Sequence, residues 1–483
     1  MMFDHLQSAF GATRTGTAQT RRGFLQSAVA SSLLMPGLVS QLLAETGSAS
    51  SIEDPLAPHR PHFVPKAKRV ILLFMSGGVS HVDTFDPKPK LTSDHGLQVT
   101  LDHPETKNRP GYEKLFLKRP QWEFRPRGTS GIEISDLFPH LAGHADDLCV
   151  IRSMHCDHSN HYNATLGMHT GSFNFARPSI GSWVSYGLGS PNQNLPSFVV
   201  IAPFSPYAGG QVWGSDFLPG SHQGTLVVPG DEPIRNMKRR VTTAELQSRE
   251  LAALADLNRQ HQLDRSQDPA LAARIRSFET AAGMQLAAPD AFDLSRETDE
   301  TLALYGLPRG STQGFGWQCL VARRLIERGV RFVELIDTGS SNNWDSHGDM
   351  MDHVRLAKNV DQPIAGLLAD LKRTGLLEDT LIVWTTEFGR TPFNNTADAK
   401  GREHHNWGFS SWLAGAGIKP GTVYGATDEH GVKAVEQRVH VHDFHATILH
   451  LLGLEHTRLT YRHAGRDFRL TDVAGEVVRG VLA

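Results

Sequence analysis

The sequence predicts an α/β fold, a mostly parallel sheet sandwiched by helices. Three observations carry the prediction. Short, near-continuously apolar runs such as Arg69-Val-Ile-Leu-Leu-Phe-Met75 and Leu381-Ile-Val-Trp384 recur along the chain, the pattern of buried parallel strands. Helical patterns alternate with them, as in sheets covered on both faces. Clusters of His, Asp, Glu and hydroxyl residues directly follow several of these runs. Open α/β sheets bind their ligands just there, outside the carboxyl ends of the strands.

Composition sets the outer limits. The chain has 483 residues, enough for one large α/β domain with insertions or for two domains. An apolar fraction of 39% and a charged fraction of 20% suit a globular protein. A net charge of -3 leaves no basic surplus to neutralise phosphates, which argues against a nucleic-acid binder. The three cysteines, Cys149, Cys156 and Cys319, fit neither a disulfide framework nor a zinc ribbon.

Residues 1–44 read as a twin-arginine export signal. Thr20-Arg21-Arg22-Gly23-Phe24-Leu25 precedes an apolar run from Ala28 to Leu43, with Ala44 as a small residue near a cleavage point. Pro36 and Gly37 interrupt that run, so it is a poor membrane span, and no later segment is long and apolar enough to make a stable one. The implied partner is the twin-arginine translocase, and the implied location is periplasmic or secreted. Residues 45–66, rich in Ser, Pro and His, read as a linker. Residues 67–475 read as the α/β domain, with a helical insertion at about 240–290.

Within that domain the strand at 69–75 ends in Ser76-Gly77-Gly78-Val79-Ser80-His81-Val82-Asp83, where glycines let the backbone turn tightly or approach a ligand. Residues 88–130 read as a polar surface excursion and Ile134 to Ala145 as a helix. The strand Leu148 to Ser153 leads into His155-Cys-Asp157-His158-Ser159-Asn160-His161, at a strand end and helix start, where unpaired N–H groups favour an anion. Ser197 to Ala202 is a strand, and 203–240 is loop. Thr242 with Glu245 has capping-box spacing, and Asp268-Pro269 starts a second helix. A helix from Trp317 to Arg328 is closed by Gly329, and the strand 330–336 follows. It leads to Trp344-Asp345-Ser346-His347-Gly348, where Asp345 and His347, two apart, can face one ligand. After a helix at 352–374 comes the strand that ends in Thr386-Glu387-Phe388-Gly389-Arg390, and then Glu403-His404-His405. Phe409 to Ala414 is a last strand, and His442 to Leu452 a last helix capped by Asp443.

The motifs at 76–87, 155–171, 344–348 and 386–392 together resemble the bacterial family known as domain of unknown function 1501, over nearly all of the mature chain. That family is grouped with the alkaline phosphatase and sulfatase superfamily. The resemblance implies a divalent metal, zinc, manganese or calcium, at the C-terminal edge of the sheet, and a nucleophile at a helix N-terminus attacking phosphorus or sulfur. Asp345 and His347 are similar to the superfamily's Asp-x-x-x-His segment at shorter spacing. Thr386-Glu387-Phe388-Gly389 is similar to its Thr-Ala-Asp-His-Gly segment, with Phe388 where a His ligand is expected. His404 or His405 looks like the late His ligand, and Ser159 falls where the nucleophile would lie.

The pattern also departs from the superfamily. The first strand ends in Ser76-Gly77-Gly78 where a metal-binding Asp is usual, so Asp83 or His81 would have to stand in. The Cys-x-Pro-x-Arg motif is absent, since Cys156 is followed by Asp-His-Ser-Asn. The expectation is therefore an exported metal-dependent hydrolase of sulfate or phosphate esters that does not use formylglycine. Asp345, His347, Glu387, His404, His405 and Asp83 would hold the metal. Ser159 would attack, or His158 and His161 would orient water, and Arg390 would hold an anionic oxygen. The alternatives are an inactive exported binding protein for anionic glycans and a component of a cell-surface complex joined through the insertion helices.

Overall fold

Among the described residues, nine strands form the central sheet. In chain order they are β1 (Arg69–Met75), β2 (Leu148–His155), β3 (Phe198–Ile201), β4 (Thr225–Val227), β5 (Phe332–Asp337), β6 (Thr380–Thr385), β7 (Phe409–Gly415), β8 (Thr422–Tyr424) and β9 (Val439–His440). Their order across the sheet is β8-β2-β7-β6-β1-β5-β3-β4, with β9 also pairing with β2. Only β7 runs against its neighbours, β6 and β2. The computed structural model describes residues 54–101, 112–235, 237, 243–265, 268–338 and 343–483. The twin-arginine segment, residues 45–53 of the linker and Thr242 lie outside these residues.

β1 sits at the centre because its sequence tolerates burial on both faces. Ile71, Leu73 and Met75 join one core, and Val70, Leu72 and Phe74 join the other, as the two-residue period of a strand requires. The first core is roofed by α5 (Phe315–Glu327) and α6 (Asp352–Arg373). The second is roofed by α1 (His161–Thr170), α2 (Ile180–Leu188) and α7 (Val441–Leu451). The fold is thus the expected α/β sandwich.

Between α2 and α5 lie α3 (Ala244–Asp264) and α4 (Pro269–Phe292). They are not equivalent. Most of α3 is exposed, whereas Met284, Ala288 and Ala291 of α4 belong to the main core. The cap of α3 is Thr243, whose side chain accepts from the Leu246 N–H. On α4, Asp268 caps as expected, accepting from Ala270 and Leu271 N–H.

Several local expectations fail for physical reasons. Ile132–Ser135 is a strand paired with Phe124–Arg127, and 141–147 is a 3₁₀ run, so 134–145 is not an α-helix. Ile-Glu-Ile-Ser alternates with period two, and Pro139 interrupts a helix there. The 88–130 excursion is also not wholly loose. Leu115–Leu117 pairs with both Gln98–Val99 and Phe393–Asn394 over a small core of Val82, Leu91 and Val432. The 203–240 stretch contributes β4 to the sheet. α7 is capped by His440, and Asp443 closes the capping box from the third helical position.

Candidate metal centre

The centre lies where β1, β5 and β6 end side by side. β2 ends near it, and Asn160 caps α1 by accepting from the Tyr162 N–H at 3.0 Å. His161 is therefore the first helical residue, at the end of α1 next to the strand termini. Two turns on, buried His169 anchors α1 to β5 through Glu334, Nε2 to Oε1 at 2.6 Å. After β5 the chain presents Asp345 and His347, while Ser346 between them turns away to His353 Nδ1 at 3.0 Å. After β6, Gly389–Arg390 pairs antiparallel with His404–His405. Neighbours on a strand face opposite sides, so His404 faces the centre and His405 faces away from it, buried against Val432.

His161, Asp345, His347 and His404 bring one ligand atom each to within 4.8 Å of one another. Around Asp345 Oδ1 stand His161 Nε2 at 3.2 Å, His347 Nε2 at 2.8 Å and His404 Nε2 at 3.2 Å. His347 Nε2 and His404 Nε2 are 2.9 Å apart. The opposite nitrogen of each ring is tied back. His161 Nδ1 meets Glu387 Oε1 at 2.7 Å, His347 Nδ1 meets Glu403 Oε2 at 3.0 Å, and His404 Nδ1 meets the Ser159 carbonyl at 2.8 Å. Metal-binding histidines are oriented by just such outer partners.

The donors fit a small transition ion. Tetrahedral bonds of about 2.0–2.2 Å hold ligand atoms roughly 3.3–3.6 Å apart, so the four pairs at 2.8–3.2 Å would open by only a few tenths of an ångström. His161 Nε2 is buried with no hydrogen-bond partner among the described residues, an atom that a metal would satisfy. Three imidazoles and one carboxylate suit zinc or manganese better than calcium, which takes six to eight oxygens.

The electrostatics centre on Asp345. Burial opposes its charge, but the surrounding His161, His347 and His404 rings and the Arg390 guanidinium hold the carboxyl well below its ordinary range. Hydrogen bonds to Asp345 and Glu403 push His347 up to about 9. Burial lowers His404. A bound cation would take over the protons' role of neutralising Asp345.

The remaining candidates lie elsewhere. Glu387 stands behind the centre. Its carboxylate is fully buried, holds His161 and accepts from Gly77 N–H at 2.8 and 3.1 Å. The glycine turn at the end of β1 thus supplies an amide where the superfamily pattern expects a carboxylate. Neither Asp83 nor His81 replaces that carboxylate. Asp83 is buried against Arg402 Nε at 2.7 Å and Gln121 N–H at 2.9 Å, and His81 Nε2 meets the Gly431 carbonyl at 2.8 Å. His405 Nε2 bonds the Val432 carbonyl. Arg390 is fully buried, and its guanidinium bonds the carbonyls of Gly77, Gly78 and Arg402 as well as Asp345. It braces Asp345 and is not presented to a substrate. His158 Nδ1 accepts from Asn160 N–H at 3.1 Å, and Ser159 reaches the centre through its carbonyl. Sequence reasoning gave His161 the role of orienting water and missed Glu403. The one available signal was that Glu403 and His404 adjoin.

No curated protein matches the sequence. Similar solved structures include the lipoteichoic acid synthase LtaP from Listeria monocytogenes, at 9% identity and TM-score 0.35, covering 90% of this chain and 82% of that one. A protein in the alkaline phosphatase superfamily from Vibrio parahaemolyticus is 9% identical at TM-score 0.36, covering 85% and 72%. The PsFucS1 sulfatase from Pseudoalteromonas sp. is 12% identical at TM-score 0.33, covering 89% and 72%. Residues 67–482 match the family described as Protein of unknown function (DUF1501), and the chain belongs to that family.

Proposed function

We propose that this chain is an exported, metal-dependent hydrolase of phosphate or sulfate esters. One observation carries the reading. Three imidazoles are each tied back at Nδ1, which leaves their Nε2 atoms to converge on one Asp345 oxygen. When bound, a zinc or manganese ion there supplies positive charge for a developing oxyanion and lowers the pKa of water. The protein's own part is preorganisation. Glu387, Glu403 and the Ser159 carbonyl fix the tautomer of each ring, and Arg390 braces Asp345 from behind. We also assign Ser159 as the nucleophile, on its place just ahead of the N-terminus of α1.

Two observations favour the alternative of an anionic-glycan binding protein. Four protein donors would fill all four positions of a four-coordinate ion, as in closed structural sites. Arg390 is also spent on backbone carbonyls and Asp345. The deciding experiment pairs elemental analysis with hydrolysis of para-nitrophenyl phosphate and para-nitrophenyl sulfate. Turnover that disappears with the metal in His347→Ala supports the hydrolase. Bound metal without turnover, together with retention of sulfated glycans, supports the binding protein. Export through the twin-arginine translocase is tested by replacing Arg21 and Arg22 with Lys, which should hold the protein in the cytoplasm.

A further inference from the structure

Tyr207 lies on a loop that the metal ligands do not use. Its ring lies flat on His161, with centroids 4.2 Å apart and planes 9° apart. Two attachments hold it there. Upstream, Phe204 is pinned next to the end of β5, its N–H donating to Thr338 Oγ1 at 3.2 Å and its carbonyl accepting from that hydroxyl at 3.1 Å. Downstream, Gln211 Nε2 donates to Tyr162 Oη at 2.8 Å, on the residue that follows His161. Between them the chain turns through Ala208 at φ +66 and Gly209 at φ +57. An L side chain rarely adopts that conformation, and such strain collects at ligand sites.

The hydroxyl is what plain packing leaves unexplained. A phenylalanine would stack on His161 equally well. Tyr207 Oη makes no hydrogen bond among the described residues, and the charged groups acting on it are Asp345, Glu387 and Arg390, all members of the centre. The residue is half-buried, with its ring held against His161 at the edge of the centre.

We propose that Tyr207 is a substrate-contacting residue whose phenol O–H donates to an oxygen of a phosphate or sulfate group held at the centre. The proposal rests on the metal-dependent reading above. It supplies the oxyanion donor that Arg390 cannot be, since that guanidinium is fully buried and bonded to carbonyls and Asp345. An uncharged donor also suits a position beside Asp345 and Glu387.

The test is calorimetric titration of inorganic phosphate into the zinc-loaded protein, wild type against Tyr207→Phe, with zinc content measured in both. Tyr207→Phe keeps the stacked ring and removes only the hydroxyl. Equal zinc content with phosphate binding weakened at least tenfold is the expected result. Unchanged phosphate binding in the variant overturns the proposal alone, as does a zinc-loaded wild type that binds no phosphate. A wild type that holds no zinc overturns the metal-dependent reading, and this proposal with it. Zinc lost from Tyr207→Phe as well would make the hydroxyl a support of the ligand set and also overturn the proposal.

Discussion

His404 and His405 are adjacent in sequence and opposite in role. One faces Asp345, and the other bonds the Val432 carbonyl. His404→Ala should therefore remove most of the bound metal by elemental analysis, while His405→Ala should leave it within about twofold; equal losses from both would refute the assignment. Glu387→Gln should weaken metal binding by roughly 10–100-fold, the usual effect of losing an outer partner of a ligating histidine. Competition with a chromophoric chelator measures this. Asp345 and His347 were legible in the sequence because residues two apart can face one ligand. The role of His161 was not, because it depends on Glu387, 226 residues away. Gly401 was not singled out either, although a Cβ there would lie 1.8 Å from the His347 carbonyl oxygen.

At the scale of elements, the apolar runs marked the main strands because burial on both faces leaves no polar alternation. Short pieces escaped notice because pairing with distant segments makes them strands, as Leu115–Leu117 shows by pairing with Phe393–Asn394. Behind the site, Asp83 joins the 80–83 turn to Arg402 in a buried ion pair. Asp83→Asn leaves that guanidinium unmatched and should cost about 3–5 kcal/mol in urea unfolding, as buried pairs do when one partner is removed. A loss below about 1 kcal/mol would show the pair to be dispensable. The insertion divides in two. Replacing α3 with a short Gly-Ser linker should shift Tm by no more than about 3 °C, since α3 is mostly exposed. Deleting α4 as well should abolish the cooperative transition, because Met284, Ala288 and Ala291 are core residues.

For the whole molecule, the histidine content shapes the response to acid. Burial lowers His81 to about 4, His222 to about 4 and His445 to about 3. In the unfolded chain each takes a proton near 6.5. Between 6.5 and about 4 the unfolded state therefore binds more protons, so stability falls as pH falls. Each group contributes up to about 1.4 kcal/mol per pH unit, or up to about 6 kcal/mol for the three between pH 6.5 and 5. Urea midpoints at pH 7 and pH 5 measure the difference, and equal midpoints would contradict it. This sensitivity was hidden in the sequence, where a buried histidine and a solvated one read alike. The bond from Gly77 N–H to Glu387 spans 310 residues and has a further consequence, in time. At roughly 5–20 residues per second, a ribosome that has made the β1 turn needs about 15–65 s more to reach His404. For most of that interval the first strand lacks both of its sheet neighbours, β5 and β6, and until its end the three histidines cannot meet. A metal at this centre would therefore be loaded only after synthesis of nearly the whole polypeptide, and a nascent chain stalled before His404 should emerge without it.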